Sequence, residues 1–170
     1  IELNIYHTNA IIQNNYISNS GIIAGMGRSG DGTYIGMISL GANSLIQNNI
    51  IENSGYIGIH FHGNNTVITQ NLVNTFNLIK NDGGGIYTYT GTGTACTGRK
   101  VTNNIVLNGK GYGKGVANNQ ENAHGIYIDD RTSSVVLTDN TVAHCNSSGM
   151  YIHNAHELEI NRNTLFDNGS

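Results

Sequence analysis

The sequence predicts an all-β chain of 170 residues folded as a single right-handed parallel β-helix, a solenoid of about six coils. Three observations predict it: a composition of strand and turn formers, a short Asn motif that recurs six times, and a Gly-led motif phased against it. Asn outnumbers even the 23 glycines, Pro and Trp are absent, and charged residues make up only 11% of the chain. Ile, Val, Thr and Tyr suit pleated, half-buried surfaces, and Asn and Gly suit the turns between them. The regular placing of the aliphatics separates this pattern from Asn-rich disorder.

The first motif reads apolar-x-x-Asn-x-apolar. It begins at Ile12, Ile46, Ile68, Val101, Leu137 and Ile160, and its marker residues are Asn15, Asn49, Asn71, Asn104, Asn140 and Asn163. Their intervals are 34, 22, 33, 36 and 23, so a base period of 22–23 is interrupted by insertions of about 11–14. Leucine-rich repeats have a similar period but a Leu-rich consensus that is absent here. A β-helix fits, with inward aliphatics in one core, coils stacked about 4.8 Å apart and Asn side chains laddered along a turn.

The second motif starts at Gly36, Gly58, Gly85, Gly125 and Gly149. Strand alternation puts its first and third following residues inside and its second and fourth outside. The second position gives the column Ile38, His60, Tyr87, Tyr127 and Tyr151, and the fourth gives Leu40, His62, Tyr89, Asp129 and His153. Asp130, Arg131 and Asn154 follow at the exit, with His124 and His156 just outside the strands. The insertions at 20–35, 76–84, 90–100 and 108–124 all border this strand, as loops that build a binding face do. Stacking should set Asp129 between Tyr89 and His153, with His62 one coil beyond. Aromatic faces and polar groups so arranged suit a sugar groove, and a carboxylate beside His and Tyr suits proton transfer.

Other signals bound the function. A net charge of −3 without a basic stripe excludes a nucleic-acid footprint. No apolar run approaches the roughly 18 residues of a membrane span, so no membrane insertion is expected. Cys96 and Cys145 lack metal or redox spacing and read as structural thiols, a disulfide remaining open. Asp31-Gly32 reads as a turn. Neither end offers a capping unit, so residues 1–170 read as one domain cut from a longer helix, with further coils of the parent chain as partners and Ile5 and Leu165 on core rungs.

Asn81-Asp82-Gly83-Gly84-Gly85-Ile86-Tyr87-Thr88, with Gly125-Ile126-Tyr127-Ile128-Asp129-Asp130 and Gly149-Met150-Tyr151-Ile152-His153-Asn154, resembles bacterial right-handed β-helix proteins of the pectate-lyase-like superfamily. Within it the chain resembles β-helical glycoside hydrolases with a DGG-small-IYT and GIY-aliphatic-DD pair of motifs. The resemblance implies catalytic carboxylates at Asp82 and at Asp129 or Asp130. The outward face and its flanks supply the expected substrate contacts: His60, His62, Tyr87, Tyr89, His124, Tyr127, Arg131, Tyr151 and His153. The resemblance also implies a polysaccharide or oligosaccharide partner and a secreted, periplasmic or cell-surface location. Asp82 precedes its Gly by three residues whereas Asp129 follows its own by four, a stagger of roughly 20 Å along a straight strand. The Gly triplet is expected to curl the Asp82 loop over the groove; otherwise Asp82 is structural or binds a metal.

Three functions follow. A glycoside hydrolase would use the paired carboxylates without cofactor or metal. A polysaccharide lyase or epimerase would neutralise a uronate with Ca²⁺ or another cation and draw its base from His, Tyr, Lys110, Lys114 or Arg131, although the groove is not obviously basic. An adhesin or carbohydrate-binding solenoid would bind without turnover.

Overall fold

The computed structural model describes residues 1–27, 30, 32–114 and 117–169; Asp31 and the turn expected there lie outside them. The described strands form three parallel sheets of six. Sheet A stacks Glu2–Leu3, Met37–Ser39, Ile59–Phe61, Gly83–Thr88, Ala123–Ile128 and Met150–Ile152. Sheet B stacks Ile11–Gln13, Leu45–Gln47, Val67–Thr69, Arg99–Thr102, Ser133–Thr138 and His156–Asn161. Sheet C stacks Tyr16–Ser20, Ile50–Ser54, Leu72–Phe76, Ile105–Gly109, Thr141–Ala143 and Thr164–Phe166. Each coil visits A, B and C in turn, so every strand pairs with its counterpart one coil away. A parallel β-helix of about six coils results, as the repeat predicts. The one short helix described is a 3-10 turn, Ala117–Asn119, and no described helix is long and apolar enough to cross a membrane.

The repeat is the pairing register. Ile12, Ile46, Ile68, Val101, Leu137 and Ile160 are successive partners in sheet B. Ile17, Ile51, Val73, Val106, Val142 and Leu165 are successive partners in sheet C. Between these columns run the marker Asn residues. The Oδ1 of Asn71 accepts from both the amide and the Nδ2 of Asn49, each at 3.0 Å. Asn104 does the same for Asn71, and Asn140 for Asn104. Asn15 and Asn163 complete the ladder at its two ends.

The residue before each ladder Asn turns the corner in the left-handed region: Asn14, Asn48, Gln70, Asn103, Asp139 and Arg162 all have φ between 53° and 58°. Two further left-handed positions recur in every coil. One runs through Asn19, Asn53, Thr75, Asn108, His144 and Asp167, the other through Asn9, Asn43, Asn65, Gly98, Ser134 and Glu157. Asn and Asp tolerate this conformation because their side chains bond locally, which gives the Asn-rich composition a structural cause.

The Gly column serves a close approach. A Cβ on Gly58 would lie 2.4 Å from Val73 Cγ1 and 2.5 Å from Gly85 O; one on Gly125 would lie 2.1 Å from Val142 Cγ1 and 2.4 Å from Gly149 O. Sheet A can therefore leave the sheet C corner only through glycine. The first coil differs from expectation. Glu2 pairs with Ile38 and Leu3 with Ser39, so Leu3 packs on the core while Ile5 sits exposed in the turn that follows. The corner after Leu3 is longer than in the next coils, so Ile5 falls beyond the strand and off the core rung expected of it.

Candidate functional site

The outward columns of sheet A stand in the expected register. Ile38, His60, Tyr87, Tyr127 and Tyr151 are successive partners. Their rings touch: His60 meets Tyr87 edge-on at 5.1 Å, and Tyr87 meets Tyr127 at 5.2 Å. His124 stacks on Tyr151 at 4.3 Å, and Tyr151 lies nearly parallel to His153 at 5.7 Å. Aromatic contacts of this kind hold the outward face rigid.

A cavity of about 330 Å³ opens on this face, lined by Gly32, Tyr56, Ile57, His60, Asp82, Tyr87, Tyr89 and Asp129. Asp129 follows the sheet A strand Ala123–Ile128, its amide bonded to Thr88 O. Its Oδ2 accepts the Tyr87 hydroxyl at 2.8 Å, and its Oδ1 accepts His153 Nδ1 at 2.8 Å and the Asp130 amide at 2.7 Å. The Tyr127 hydroxyl lies close enough to act on it. Burial pushes the Asp129 carboxyl up, but the bonds from His153, the Asp130 amide and Tyr87, with the nearby Tyr127 hydroxyl, together hold it below the ordinary carboxylate value. Burial raises the Tyr87 and Tyr127 phenols, and Asp129 raises both further. Burial lowers His60 and His124 to about 4, so both imidazoles are neutral near pH 7.

Asp82 lies on the same cavity by a different route than expected. The Gly triplet does not curl; Gly83–Thr88 is one strand, paired from Gly83 opposite Ala123. The glycines provide room instead. A Cβ on Gly83 would lie 2.5 Å from Tyr56 Cε2, and one on Gly84 would lie 2.9 Å from Tyr127 Cβ. Asp82 itself is left-handed at φ 56°, with its amide on Asn122 O and its carbonyl accepting the Tyr56 hydroxyl at 2.9 Å. Along the chain Asp82 keeps its seven-residue offset from Asp129, but it sits at the left-handed corner before the strand, and both carboxylates line the one cavity and act on the Tyr127 hydroxyl.

Other expected residues fall around this centre. His153 touches the cavity only through Asp129. Asp130 is more exposed, bonded by Asn154 Nδ2 at 3.1 Å and lying 3.6 Å from His153 Nδ1. Arg131 is exposed at the corner, and His124 and Tyr151 lie on the far side of Tyr127. His62 does not face the cavity. Its Nε2 lies 3.3 Å from Cys96 Sγ, under the 90–98 insertion. Both cysteines are buried and free. Sequence reasoning missed Gly32, Tyr56 and Ile57. Tyr56 had a signal, since Tyr34 and Tyr56 both stand two residues before a marker Gly. Asp129, Asp130 and His153 form the one group among the described residues with three ligand-type atoms mutually within 4.8 Å. His153 Nδ1 is already engaged by Asp129, so the group is internally satisfied and no metal is assigned to it.

No curated protein and no solved structure matches the chain. The family model described as the right-handed beta helix region matches residues 8–170, and with the coil-by-coil stacking above this establishes that the chain belongs to the right-handed β-helix family.

Proposed function

We propose that the protein is a glycoside hydrolase whose site is the cavity between Asp82 and Asp129. The observation that carries this reading is two carboxylates on one cavity walled by Tyr56, Tyr87 and Tyr89. Asp129, held ionised by its hydrogen bonds, is the nucleophile or the base for a water. Asp82, on the more exposed wall, donates the proton to the leaving oxygen. Tyr faces and Ile57 offer apolar surface to a sugar ring, and the hydroxyls and neutral His60 offer hydrogen bonds to its oxygens.

The lining charges weigh against the lyase and epimerase readings. Two carboxylates line the cavity, and among its described lining residues there is no Lys or Arg. A uronate would enter against repulsion of a few kcal/mol per close pair at an effective dielectric near 20. Neutral glycans are therefore the substrates proposed, and a secreted, periplasmic or cell-surface location is proposed with them.

The test is turnover of neutral oligosaccharides by the unsubstituted protein and by Asp82→Asn, Asp129→Asn and Asp130→Asn, each measured separately. New reducing ends are expected, with losses of on the order of 10²-fold or more for Asp82→Asn and Asp129→Asn. An ultraviolet-absorbing unsaturated product would establish the lyase instead. Binding without turnover would establish the adhesin.

A further inference from the structure

The hydrogen bonding around Asp129 poses a problem for the reaction just proposed. A carboxylate has about four acceptor sites. Asp129 fills three of them with Tyr87, the Asp130 amide and His153. Two of these donors are fixed. The Tyr87 phenol is locked in the ring column of sheet A, and the amide is part of the backbone. His153 alone is movable. Its side chain is 45% exposed, against 14% for Asp129. Its Nδ1 stands between two acceptors, 2.8 Å from Asp129 Oδ1 and 3.6 Å from Asp130 Oδ1.

We propose that His153 is a positioning residue, one that aims the Asp129 carboxylate by its Nδ1–H and frees one acceptor site of Oδ1 when it swings that bond to Asp130, the Asp130 amide keeping the other. This deepens the hydrolase reading and rests on it for the catalytic consequence, but not for the effect on Asp129. Asp130 then acts as the resting place for the His153 donor and not as the reacting carboxylate. The pair Asp129-Asp130 is adjacent in sequence, and His153 stands one coil above at the matching column position. The solenoid register alone brings the three together.

The groups facing His153 decide the sign of the pH effect. Asp129, Asp130 and Asp82 all favour its charged form, while Tyr151 covers one ring face. Around Asp129 stand Tyr87, Tyr127 and the neutral His124, with Arg131 exposed two residues on. The His153 bond favours the Asp129 carboxylate. Its loss therefore raises the pH at which Asp129 takes up a proton, and the acidic limb of activity moves to higher pH. A residue that merely contacted sugar would raise KM and leave that limb in place.

The experiment compares His153→Ala and His153→Asn with the parent, using ¹³C NMR titration of the Asp129 carboxyl without substrate and pH profiles of kcat and KM on a neutral oligosaccharide. His153→Ala is expected to shift the Asp129 titration and the acidic limb of kcat upward in pH. It should lower kcat by on the order of 10²-fold, the cost of ångström-scale misplacement, with KM within about threefold. His153→Asn, whose amide nitrogen stands near the Nδ1 position, is expected to restore much of both shifts. An unmoved Asp129 titration in His153→Ala overturns the proposal, as does a raised KM with an unmoved limb. If the parent turns over no glycan, the hydrolase reading fails while the NMR titration still decides the role of His153.

Discussion

Replacing Asn104 by Ala should unfold more of this protein's stability than any change at its surface. The Asn104 side chain is buried, and its Oδ1 is the acceptor for the Asn71 amide and the Asn71 Nδ2, both at 3.0 Å. Its own Nδ2 reaches Ile68 O, Thr102 O and Asn140 Oδ1, all at 3.0 Å. Truncation leaves the buried Asn71 amide without its acceptor, a cost of about 1–3 kcal/mol. The donated bonds share two hydrogens and add about 1 kcal/mol for each hydrogen. The sum is about 3–5 kcal/mol. Asn15 at the end of the ladder is half-buried, and among the described residues its Oδ1 accepts no bond, so Asn15→Ala should cost only about 1 kcal/mol. Urea unfolding followed by circular dichroism and by Tyr fluorescence measures both, the midpoint shift at constant m giving the difference. Coincident transitions are required first, because a solenoid can unfold coil by coil. Equal costs for the two variants, or a cost below about 1.5 kcal/mol for Asn104→Ala, would refute the ladder as a cooperative source of stability.

Three further outcomes are expected. Gly85→Ala should destabilise by at least about 1–3 kcal/mol in the same urea assay, because its Cβ would lie 2.4 Å from Val106 Cγ1 and 2.9 Å from Phe76 Cε1. His60 and His124 have folded values near 4, below the unfolded value of 6.5. Their contribution is therefore complete above pH 6.5 and is lost as pH falls towards 4, by at most about 3 kcal/mol each; stability measured from pH 7 to 4 should fall less steeply in His124→Gln. Arg99 is fully buried, bonds Thr88 Oγ1 and Ser133 O, and has no carboxylate partner among the described residues. Arg99→Met should accordingly be neutral or stabilising, and a loss above about 2 kcal/mol would show that the guanidinium stabilises its corner.

How much of this was legible in the sequence depends on whether a feature repeats. The Asn ladder, the Gly column and the outward columns recur in every coil with few changes of residue type, so their period exposes them. The left-handed corners recur as faithfully in the backbone but not in the chain. Gln70, Asp139 and Arg162 occupy one corner position and Thr75 and His144 another, because the corner constrains φ more than side-chain chemistry. Ile5 was misplaced on a core rung for a related reason, since a longer corner after Leu3 shifts the strand without altering the motif. The ring column was legible because register is set by a core that tolerates no slip. The course of the Asp82 segment was not. Consecutive glycines read as freedom in a sequence, whereas here they answer to the volumes of Tyr56, Tyr127 and Val106, which lie far away along the chain.

The cavity shows why a solenoid needs its insertions to make a site. Stacking alone yields columns, and a column is a flat face with equal neighbours above and below. Asp129 gains its asymmetry because the coil before it contributes Tyr87 and the coil after it contributes His153. The wall opposite comes from outside the strands: Gly32 from the 20–35 insertion, Tyr56 from the bend before a strand, and Asp82 from the 76–84 insertion. His62 supplies the counter-example. It occupies the same column as Asp129 and His153, yet the 90–98 insertion places Cys96 beside it and takes it out of the cavity. The repeat thus determines which residues are neighbours, and the insertions determine which of those neighbours face a substrate. Exchanging an insertion between β-helices should for that reason change what the face binds while leaving the ring column and its hydrogen bonds to Asp129 in place.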